Sequence, residues 1–421
     1  MLFQDVVAEG YRADVRVADG RIVALARREA RYAVPGDPGA AWPESALTAL
    51  PGEEVVRGGM LTPPLAEPHV HLDAVLLGEA EPNRSGTLVE GIRNWAKLRP
   101  GLTAEDAAMR ARRVLGWYAA WGTLRVRTHV DTEGPVAVDA LLGLRGQVRQ
   151  DAGLGWMDLQ VVAFPQEGIL RAPGRRGRWE AAVAAGCDAV GVIPHFERTD
   201  AEGAESVRLA FALAERHGLR VDLHCDETDD PQSRHLGTAC AETLDRGFQG
   251  RVVAGHCTAM HSYENPYAAK VIALVVESGV QVVVNPLDNV VLQGRYDHYP
   301  KRRGLARVDQ LWEAGASVGI GHDSVVDPWY RLGTANLVDA AWMAVHLGHL
   351  TSEDQLRRAF RALHHDNHRP WGEPPRLEVG AEATLLRWPV TDPIEALRLR
   401  PRPQVYARGV RLDLPEPGLL G

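Results

Sequence analysis

The chain has 421 residues, of which 45% are apolar, so it can bury a large hydrophobic core. Its net charge of -8 and pI near 6.1, with no lysine-rich stretch, argue against a nucleic-acid partner. No run of eighteen apolar residues occurs, and the first residues lack a basic segment followed by an apolar one. We therefore predict a cytoplasmic protein without membrane spans. The cysteines have no CxxC spacing and are expected to be buried packing residues without disulfides: Cys187, Cys225, Cys240 and Cys257.

Both chain ends have the pattern of short antiparallel strands. Residues 1–60 alternate apolar and polar positions, with an Asp19-Gly20 hairpin turn inside YRADVRVADGRIVAL. Residues 376–421 contain two further strand-like segments, GAEATLLRWPV and QVYARGVRLDLP. Because the two fragments flank a larger middle region, we predict one small β-sandwich domain assembled from both ends.

The middle region, residues 61–375, repeats a strand and then a helix. Helical patterns such as AEDAAMRARRVLGWYAAWG and ESVRLAFALAERHG separate the strands. Eight strands alternating with helices predict a (β/α)8 TIM barrel. A doubly wound open sheet would have a similar pattern, but no GxGxxG motif follows the first strand. The predicted strands span residues 66–72, 124–130, 159–164, 189–193, 219–224, 251–256, 280–285 and 317–322.

Polar residues stand at the ends of these strands, where the catalytic groups of such a barrel lie. In the first strand, His69 and His71 are two positions apart, so their side chains point to the same face and can bind one ion. An isolated H-x-H pair more often marks surface or core histidines, but here the later strands also end in polar residues. These are His129, Asp131, Gln166, His195, His224, His256, Asn285, His322 and Asp323.

Three imidazoles and one carboxylate suit a borderline divalent ion such as Zn²⁺ or Fe²⁺, with one position left for water. His69, His71, His224 and Asp323 supply that set, and His256 is placed to hold the water or to orient a substrate oxygen. The fourth strand, AVGVIPH, has no lysine to carry a carbamate that would bridge two ions. We therefore predict one divalent ion per subunit.

Glu227 lies three residues after His224 and is a candidate acid/base. A carboxylate just beyond a ligand-bearing strand can reach the bound water without binding the metal, and can pass its proton to a leaving group. The alternative is a solvated acidic loop, because Glu227 belongs to a run with Asp226, Asp229 and Asp230. The neighbouring metal set favours the catalytic interpretation.

Long motifs occur between about residue 62 and residue 340. They are EPHVHLD, SGTLVEGIRNWA, VRTHVD, VVAFPQEGIL, IPHFE, DLHCDETDDPQSR, GHCTAMHSY, NPLDNVVLQGRYDHYPKRRG and GHDSVVDPWYRLGTAN. These motifs resemble the amidohydrolase superfamily and, within it, the bacterial cytosine deaminase family. The terminal fragments fit that family's small β-sandwich in position. The resemblance also implies a homo-oligomer.

The resemblance implies a role for each matching residue. The four residues of the predicted metal set match the family's ligands. Glu227 matches the acid/base that moves a proton to the ring nitrogen, and His256, with Asp323, matches the group that positions and activates the hydroxide. Gln166 matches the amide that pairs with the lactam edge of the base, since an amide offers both a donor and an acceptor.

Trp329 and Leu88 match pocket-wall residues of the family, for which a packing role is the alternative. The implied reaction is hydrolytic removal of an exocyclic amine from a pyrimidine-like ring, which releases ammonia. The substrate is thus expected to be a small nucleobase-like molecule.

Two departures from the family pattern bear on the substrate. The family's cytosine deaminases carry two adjacent aspartates after Gly-His, whereas this chain has Asp323 followed by Ser324, which is shorter and uncharged at the substrate. The segment DAVLLGEAEPNRSG after His71 is apolar and one residue shorter than its usual counterpart. We therefore expect a larger or less polar base, such as 5-methylcytosine, with cytosine also accepted.

Other interpretations remain open at the level of sequence. The enzyme alternative is a deaminase of another amino-heterocycle: isocytosine, isoguanine, creatinine or an aminotriazine. A ring-opening cyclic amidase fits a mononuclear set less well, and an inactive metal-binding scaffold would not need Glu227. The long segment 286–304 predicts a lid or a binding loop. Its Lys301-Arg302-Arg303 run is interpreted as an exposed or subunit-facing cluster rather than a phosphate site.

Overall fold

The computed structural model describes residues 1–150 and 154–418, which form two sheets. The first sheet combines strands from both chain ends, in the spatial order β16-β15-β14-β5-β1-β2-β3, with β4 paired to β1. Its N-terminal strands are β1 Leu2–Ala8, β2 Tyr11–Ala18, β3 Arg21–Ala30, β4 Val55–Arg57 and β5 Met60–Thr62. Its C-terminal strands are β14 Leu385–Trp388, β15 Gln404–Ala407 and β16 Val410–Arg411.

The predicted hairpin turn joins β2 and β3. Asp19 and Gly20 both have positive φ, 51° and 73°, which a tight two-residue turn between twisted strands requires. The sheet then folds over, so that Ile22 donates from its backbone to Ala381 and the ring of Phe3 lies 5.0 Å from that of Tyr406. A second apolar core fills this fold, apart from the core of the barrel.

The middle of the chain forms the predicted (β/α)8 barrel. Its parallel strands are hydrogen-bonded in chain order from β6 to β13. Most of their residues are buried and many are β-branched, as expected when helices cover the outer face. The strands are β6 Leu65–Val70, β7 Thr123–Asp131, β8 Asp158–Phe164, β9 Ala189–Val192, β10 Arg220–Cys225, β11 Val252–His256, β12 Gln281–Val284 and β13 Val318–Ile320.

Helices follow the barrel strands and also complete the C-terminal region. The helix Asp200–His217 is representative. The Thr199 side chain caps its start by accepting from the Glu202 backbone, and Gly218 ends it at φ 67°. The helices are α1 Leu88–Leu98, α2 Ala104–Ala120, α3 Pro135–Gln150, α4 Arg175–Ala184, α5 Asp200–His217, α6 His235–Asp245, α7 Asn265–Ser278, α8 Pro286–Leu292, α9 Val308–Glu313, α10 Leu337–Gly348, α11 Glu353–His364 and α12 Pro393–Leu399.

The barrel closes where its first and last strands meet. The backbone of Asp323 donates to the carbonyl of His69 at 2.9 Å, and the backbone of His71 donates to the carbonyl of Asp323 at 3.2 Å. Beneath this seam the buried Glu67 carboxylate accepts from the backbones of His69 and His322 and from the Tyr118 hydroxyl. Burial raises the pKa of Glu67 to about 8. The closure of the barrel therefore fixes the same backbone that carries three of the predicted ligands.

Two further features follow from the packing. Within the described residues, no helix is both long enough and apolar enough to cross a bilayer. In that same part of the chain the four cysteines are buried free thiols, as their spacing predicts.

Candidate active site

Three imidazoles converge at the carboxyl end of the barrel. The strand alternation that predicted a shared face for His69 and His71 holds, and both rings meet His224 from β10. His224 Nε2 lies 3.2 Å from His69 Nε2 and 3.0 Å from His71 Nε2. Asp323 completes the group, with Oδ1 at 3.6 Å from His69 Nε2 and 3.5 Å from His71 Nε2. Asp323 thus lies beside two of the three imidazoles, and its nearest ligand group among the described residues is formed with His69 and His256.

This cluster fits a cation better than a set of hydrogen bonds. A neutral imidazole nitrogen either donates once or accepts, so His224 Nε2 cannot bond well to two other ring nitrogens. Burial and the neighbouring imidazoles keep the pKa of all three histidines well below the usual range, so they are neutral and offer lone pairs. Four ligands about 2.1 Å from a tetrahedral Zn²⁺ would lie about 3.4 Å apart, close to the observed spacings.

The donor set agrees with the chemistry of the predicted ion. Imidazole nitrogens and a carboxylate suit Zn²⁺ or Fe²⁺ rather than an ion that requires oxygen ligands alone. His69, His71 and His224 also form one of three buried ligand groups among the described residues, and the other two groups share His69. Residues that could bind an ion are thus concentrated at this end of the barrel.

Glu227 and His256 border the cluster. His256 Nδ1 lies 3.5 Å from Glu227 Oε1, 3.8 Å from Asp323 Oδ2 and 3.0 Å from Asn289 Nδ2. Burial raises the pKa of Glu227 well above its usual value, and the nearby Asp288 carboxylate adds to the effect. A carboxylate whose pKa is raised in this way is a stronger base than an exposed one, and once protonated it can deliver the proton.

The acidic run around Glu227 divides between two environments. Asp226 faces away from the pocket and anchors the following loop, since its carboxylate accepts from the Ser233 hydroxyl and from the backbones of His235 and Leu236. Asp230 is exposed. Glu227 is buried and lines the cluster, so it is not part of a solvated acidic loop.

Two strand-end residues have left-handed backbone. His256 has φ 67° and Asp323 has φ 69°, a conformation that non-glycine residues rarely adopt and that costs roughly 1–3 kcal/mol each. The left-handed turns place both side chains beside the imidazole cluster. Sequence alternation alone does not predict such a turn.

Arg127, Asp222 and His129 form a buried ionic network next to the imidazole cluster, and the sequence does not predict it. The ring of His129, at the end of β7, lies 4.1 Å from that of His69. Its Nε2 lies 3.0 Å from Asp222 Oδ1, and Arg127 Nη1 donates to Asp222 Oδ2 at 2.7 Å. His129 was recognised as a strand-end residue, but nothing in the sequence links it to Asp222. The network fixes His69 from the side away from the pocket.

The predicted substrate-binding residues form the other wall of the pocket. Gln166 follows β8, Ser324 follows Asp323, Trp329 lies in the next loop, and Leu88 opens α1. All four line one cavity together with His71, His224, Glu227, His256, Asp288, Leu292 and Asp323. The free volume of this cavity is about 20 Å³, room for one water molecule.

Helix α1 holds Trp329 over the cluster. The indole stacks on His71 with ring centres 6.0 Å apart, and it packs so tightly against Gly91 that a Cβ there would lie 2.3 Å from Trp329 Cδ1. On the same helix, Trp95 donates through Nε1 to Asp131 at 2.7 Å, which anchors the helix to the end of β7. Trp329, Trp95, Ala74, Ile92 and Leu292 form a small apolar cluster that covers the site.

The segment after β12 contributes more to the site than was predicted. Its first part is α8, from which Asp288 and Asn289 reach the pocket and His256. Asp288 is a charged residue within the otherwise apolar run of PLDNVVL. This contrast is the sequence signal that could have indicated a functional residue here. In the basic run, Lys301 and Arg303 are exposed as expected, but the half-buried Arg302 instead ties the loop together by donating to Asp297 and to the Asp229 carbonyl.

Comparison with known families supplies a match over most of the chain. A model described as "Amidohydrolase family" matches residues 56–412, which includes the whole barrel and the C-terminal strands. Among curated proteins, pterin deaminase of Rhizobium rhizogenes is 29% identical over 390 residues, covering 89% of this chain and 82% of its own. N-isopropylammelide isopropyl amidohydrolase of a Pseudomonas species is 24% identical over 359 residues, covering 81% of this chain and 84% of its own.

Solved structures extend the similarity to the full length. A crystal structure of 5-methylcytosine deaminase from Klebsiella pneumoniae with 5-fluorocytosine is 35% identical, with a TM-score of 0.88, and the alignment covers 100% of this chain and 99% of that one. A structure of N-isopropylammelide isopropylaminohydrolase from Burkholderia multivorans is 25% identical, with a TM-score of 0.78 and 97% coverage of both chains. The barrel and the second sheet are thus both shared with these proteins.

Proposed function

The chain belongs to the amidohydrolase family and is a metal-dependent hydrolytic deaminase acting on C–N bonds, and we propose that its substrate is a pyrimidine nucleobase such as 5-methylcytosine or cytosine. The observation that carries the proposal is the position of the buried Glu227 carboxyl beside the imidazole cluster, inside a pocket that also contains Gln166. The similarity to 5-methylcytosine deaminase over the whole chain supports the choice of ring.

His69, His71, His224 and Asp323 would hold one divalent ion, Zn²⁺ or Fe²⁺. When bound, such an ion lowers the pKa of water toward neutrality and so supplies a nucleophile at physiological pH. The protein's own contribution is the fixed arrangement of the four groups, because β6, β10 and the barrel seam leave them little freedom.

Glu227 and His256 handle the protons. Glu227 takes a proton from the attacking water and delivers it to a ring nitrogen, which is the transfer that its raised pKa favours. His256, held by Asn289 and placed between Glu227 and Asp323, orients the water for attack on the amine-bearing carbon. The second proton of the water then passes from the new hydroxyl group to the amine, the C–N bond breaks, ammonia leaves and a carbonyl remains on the ring.

Gln166 and the apolar wall select the base. The Gln166 amide can donate to and accept from the lactam edge of a pyrimidine at the same time. Trp329 and Leu88 offer an apolar surface, and Ser324 occupies less space than the second aspartate of cytosine deaminases. This combination favours a base with an added methyl group, so 5-methylcytosine is the expected preferred substrate.

The test is a substrate panel on protein of measured metal content. Ammonia release from 5-methylcytosine and cytosine is followed at several concentrations, after loading with Zn²⁺ or Fe²⁺ and removal of excess metal. We expect turnover of both bases and one ion per chain. A preference for cytosine of a hundredfold or more would overturn the methyl-tolerant pocket, since about 2.7 kcal/mol is near the limit for one methyl group.

A second candidate is a deaminase of another amino-heterocycle. The similarity to pterin deaminase covers 89% of the chain, and two ammelide hydrolases share the fold and sequence at 24–25% identity. The same panel separates these candidates if it includes a pterin, isocytosine, isoguanine, creatinine and an aminotriazine. The proposal of cytosine or 5-methylcytosine as substrate is rejected if one of these rings is turned over while both cytosines are not.

A further inference from the structure

Asp288 is a buried carboxylate in the pocket that neither the sequence nor the mechanism above assigns. It lies in the first turn of α8, is 2% exposed, and lines the cavity together with Gln166 and Glu227. Its Oδ2 accepts from the Ser324 hydroxyl at 2.7 Å. Its Oδ1 is also buried and has no hydrogen-bond partner within the described residues.

Among the described residues, the charged groups that act most strongly on Asp288 are two further acids, Asp323 and Asp327, and with burial they raise its pKa. A hydrogen bond donated to Oδ1 by a ligand would lower this pKa again, because it stabilises the charged form. A buried carboxylate oxygen without a donor destabilises the protein. Such an atom is retained most readily where a ligand supplies the missing donor, as in other functional sites.

The Ser324–Asp288 pair also accounts for the departure from the cytosine deaminase pattern. That pattern has a second aspartate directly after the metal-binding one, and this chain has Ser324 at the same position. The Ser324 hydroxyl donates a hydrogen bond to the carboxylate of Asp288. The acid thus reaches the pocket from α8 rather than from the barrel strand. A carboxylate remains at the substrate wall while the position beside Asp323 carries only a hydroxyl.

We propose that Asp288 is the specificity-determining residue that accepts a hydrogen bond from an N–H group of the substrate ring, with Ser324 as its positioning residue. This inference rests on the proposed deamination of a pyrimidine base. The Ser324 hydroxyl donates to Oδ2 of Asp288, so Oδ1 is left to accept a hydrogen bond from the substrate. The arrangement recognises a ring that carries an N–H donor and leaves room beside Ser324 for a ring substituent.

The principal test is Asp288→Asn in the metal-loaded, full-length enzyme. In asparagine one of the two terminal atoms is an NH₂ group that only donates, so the side chain cannot accept from Ser324 at one atom and from the substrate at the other. We expect kcat/KM for 5-methylcytosine to fall at least thirtyfold, chiefly through a higher KM, with metal content unchanged. The matched control is Asp297→Asn, the same change in the same loop, where the carboxylate pairs with Arg302 outside the pocket; its kcat/KM should stay within twofold.

Two further variants test the pairing itself. Ser324→Ala frees Asp288, and we expect a three- to tenfold fall in kcat/KM. The double variant Asp288→Ser with Ser324→Asp moves the carboxylate to the barrel strand, and we expect the ratio of kcat/KM for 5-methylcytosine over cytosine to fall at least tenfold. This ratio does not depend on the fraction of folded enzyme, so a loss of stability alone would leave it unchanged.

The failure of this inference differs from the failure of the proposed function. If wild-type enzyme releases ammonia from the cytosines but Asp288→Asn matches it within twofold, Asp288 does not contact the substrate. An unchanged ratio in the double variant would reject the Ser324–Asp288 pair as the determinant. Absence of turnover of every pyrimidine by the metal-loaded wild type overturns the proposed function, and this inference with it.

Discussion

The pocket has two walls that are built in different ways. The ligand wall consists of His69, His71, His224 and Asp323, which stand at strand ends of the barrel. Backbone hydrogen bonds across the seam join His69 and His71 to Asp323, and His224 is held in β10. The substrate wall consists of Gln166, Ser324, Trp329, Leu88 and Asp288, which come from loops and from the starts of α1 and α8. Under the proposed function, this difference separates two tasks: residues of the barrel strands would carry the chemistry, and residues of the connecting segments would select the ring.

The largest effect is expected from the ligand wall. His224→Ala removes the imidazole that contacts both other histidines, so we expect loss of the bound ion and a fall in activity of at least ten-thousandfold. Metal analysis and ammonia release measure the two effects on one sample. His346→Gln, at an exposed histidine of α10, is the control. If the His224→Ala protein retained both metal and turnover, the ligand set would be wrong.

Glu227 stands between the walls and should separate metal binding from turnover. In Glu227→Gln the ion should remain, but kcat should fall about a hundred- to ten-thousandfold because the amide cannot carry the proton. The comparison variant is Asp230→Asn in the same acidic run, whose side chain is exposed. Turnover of Glu227→Gln within tenfold of wild type would remove Glu227 from its assigned role.

A polar residue of the substrate wall should have an intermediate effect. Gln166→Ala removes the donor and acceptor proposed for the lactam edge, and leaving that edge unpaired should lower kcat/KM about 10- to 100-fold. Gln166→Glu keeps an acceptor and loses the donor, so its effect shows which half of the amide matters. Both variants should keep their metal. Loss of metal in either would mean that the two walls are not independent.

An apolar residue of the same wall should have the smallest effect. Leu88→Ala shortens a side chain that lines the cavity, and we expect kcat/KM for 5-methylcytosine to fall about three- to tenfold, more than for cytosine. Val89→Ala is the matched control, because Val89 is the adjacent residue and is 40% exposed. Equal losses for both bases would give Leu88 a packing role only.

The sequence predicted that these four side chains lie at one end of the barrel because strand geometry is regular. Period-two alternation put His69 and His71 on one face, and the strand count put His224 and Asp323 at the same end of the barrel. The eight strands lie within a few residues of their predicted positions. The hairpin at Asp19-Gly20 and the glycine stop of α5 were equally readable, because turns and helix ends have local signals.

The substrate wall was harder to predict because its contacts are not local. Asp288 and Ser324 are 36 positions apart, and nothing in either segment shows that they share a hydrogen bond. The left-handed backbone of His256, the Asp222–His129 pair and the inward direction of Arg302 likewise depend on tertiary packing. Single-sequence patterns report periodicity and composition, and these contacts depend on neither.

The seam of the barrel has a consequence for the assembly of the chain. Glu67 and the backbone of His322 meet across a separation of 255 positions, and the ligands on either side of them belong to the first and last barrel strands. An ion held by His69 and Asp323 is therefore a cross-link that closes a very long loop. During synthesis the complete ion site does not exist until the eighth strand has been made. Because such an ion binds the closed barrel rather than the open chain, each bound ion shifts folding toward completion.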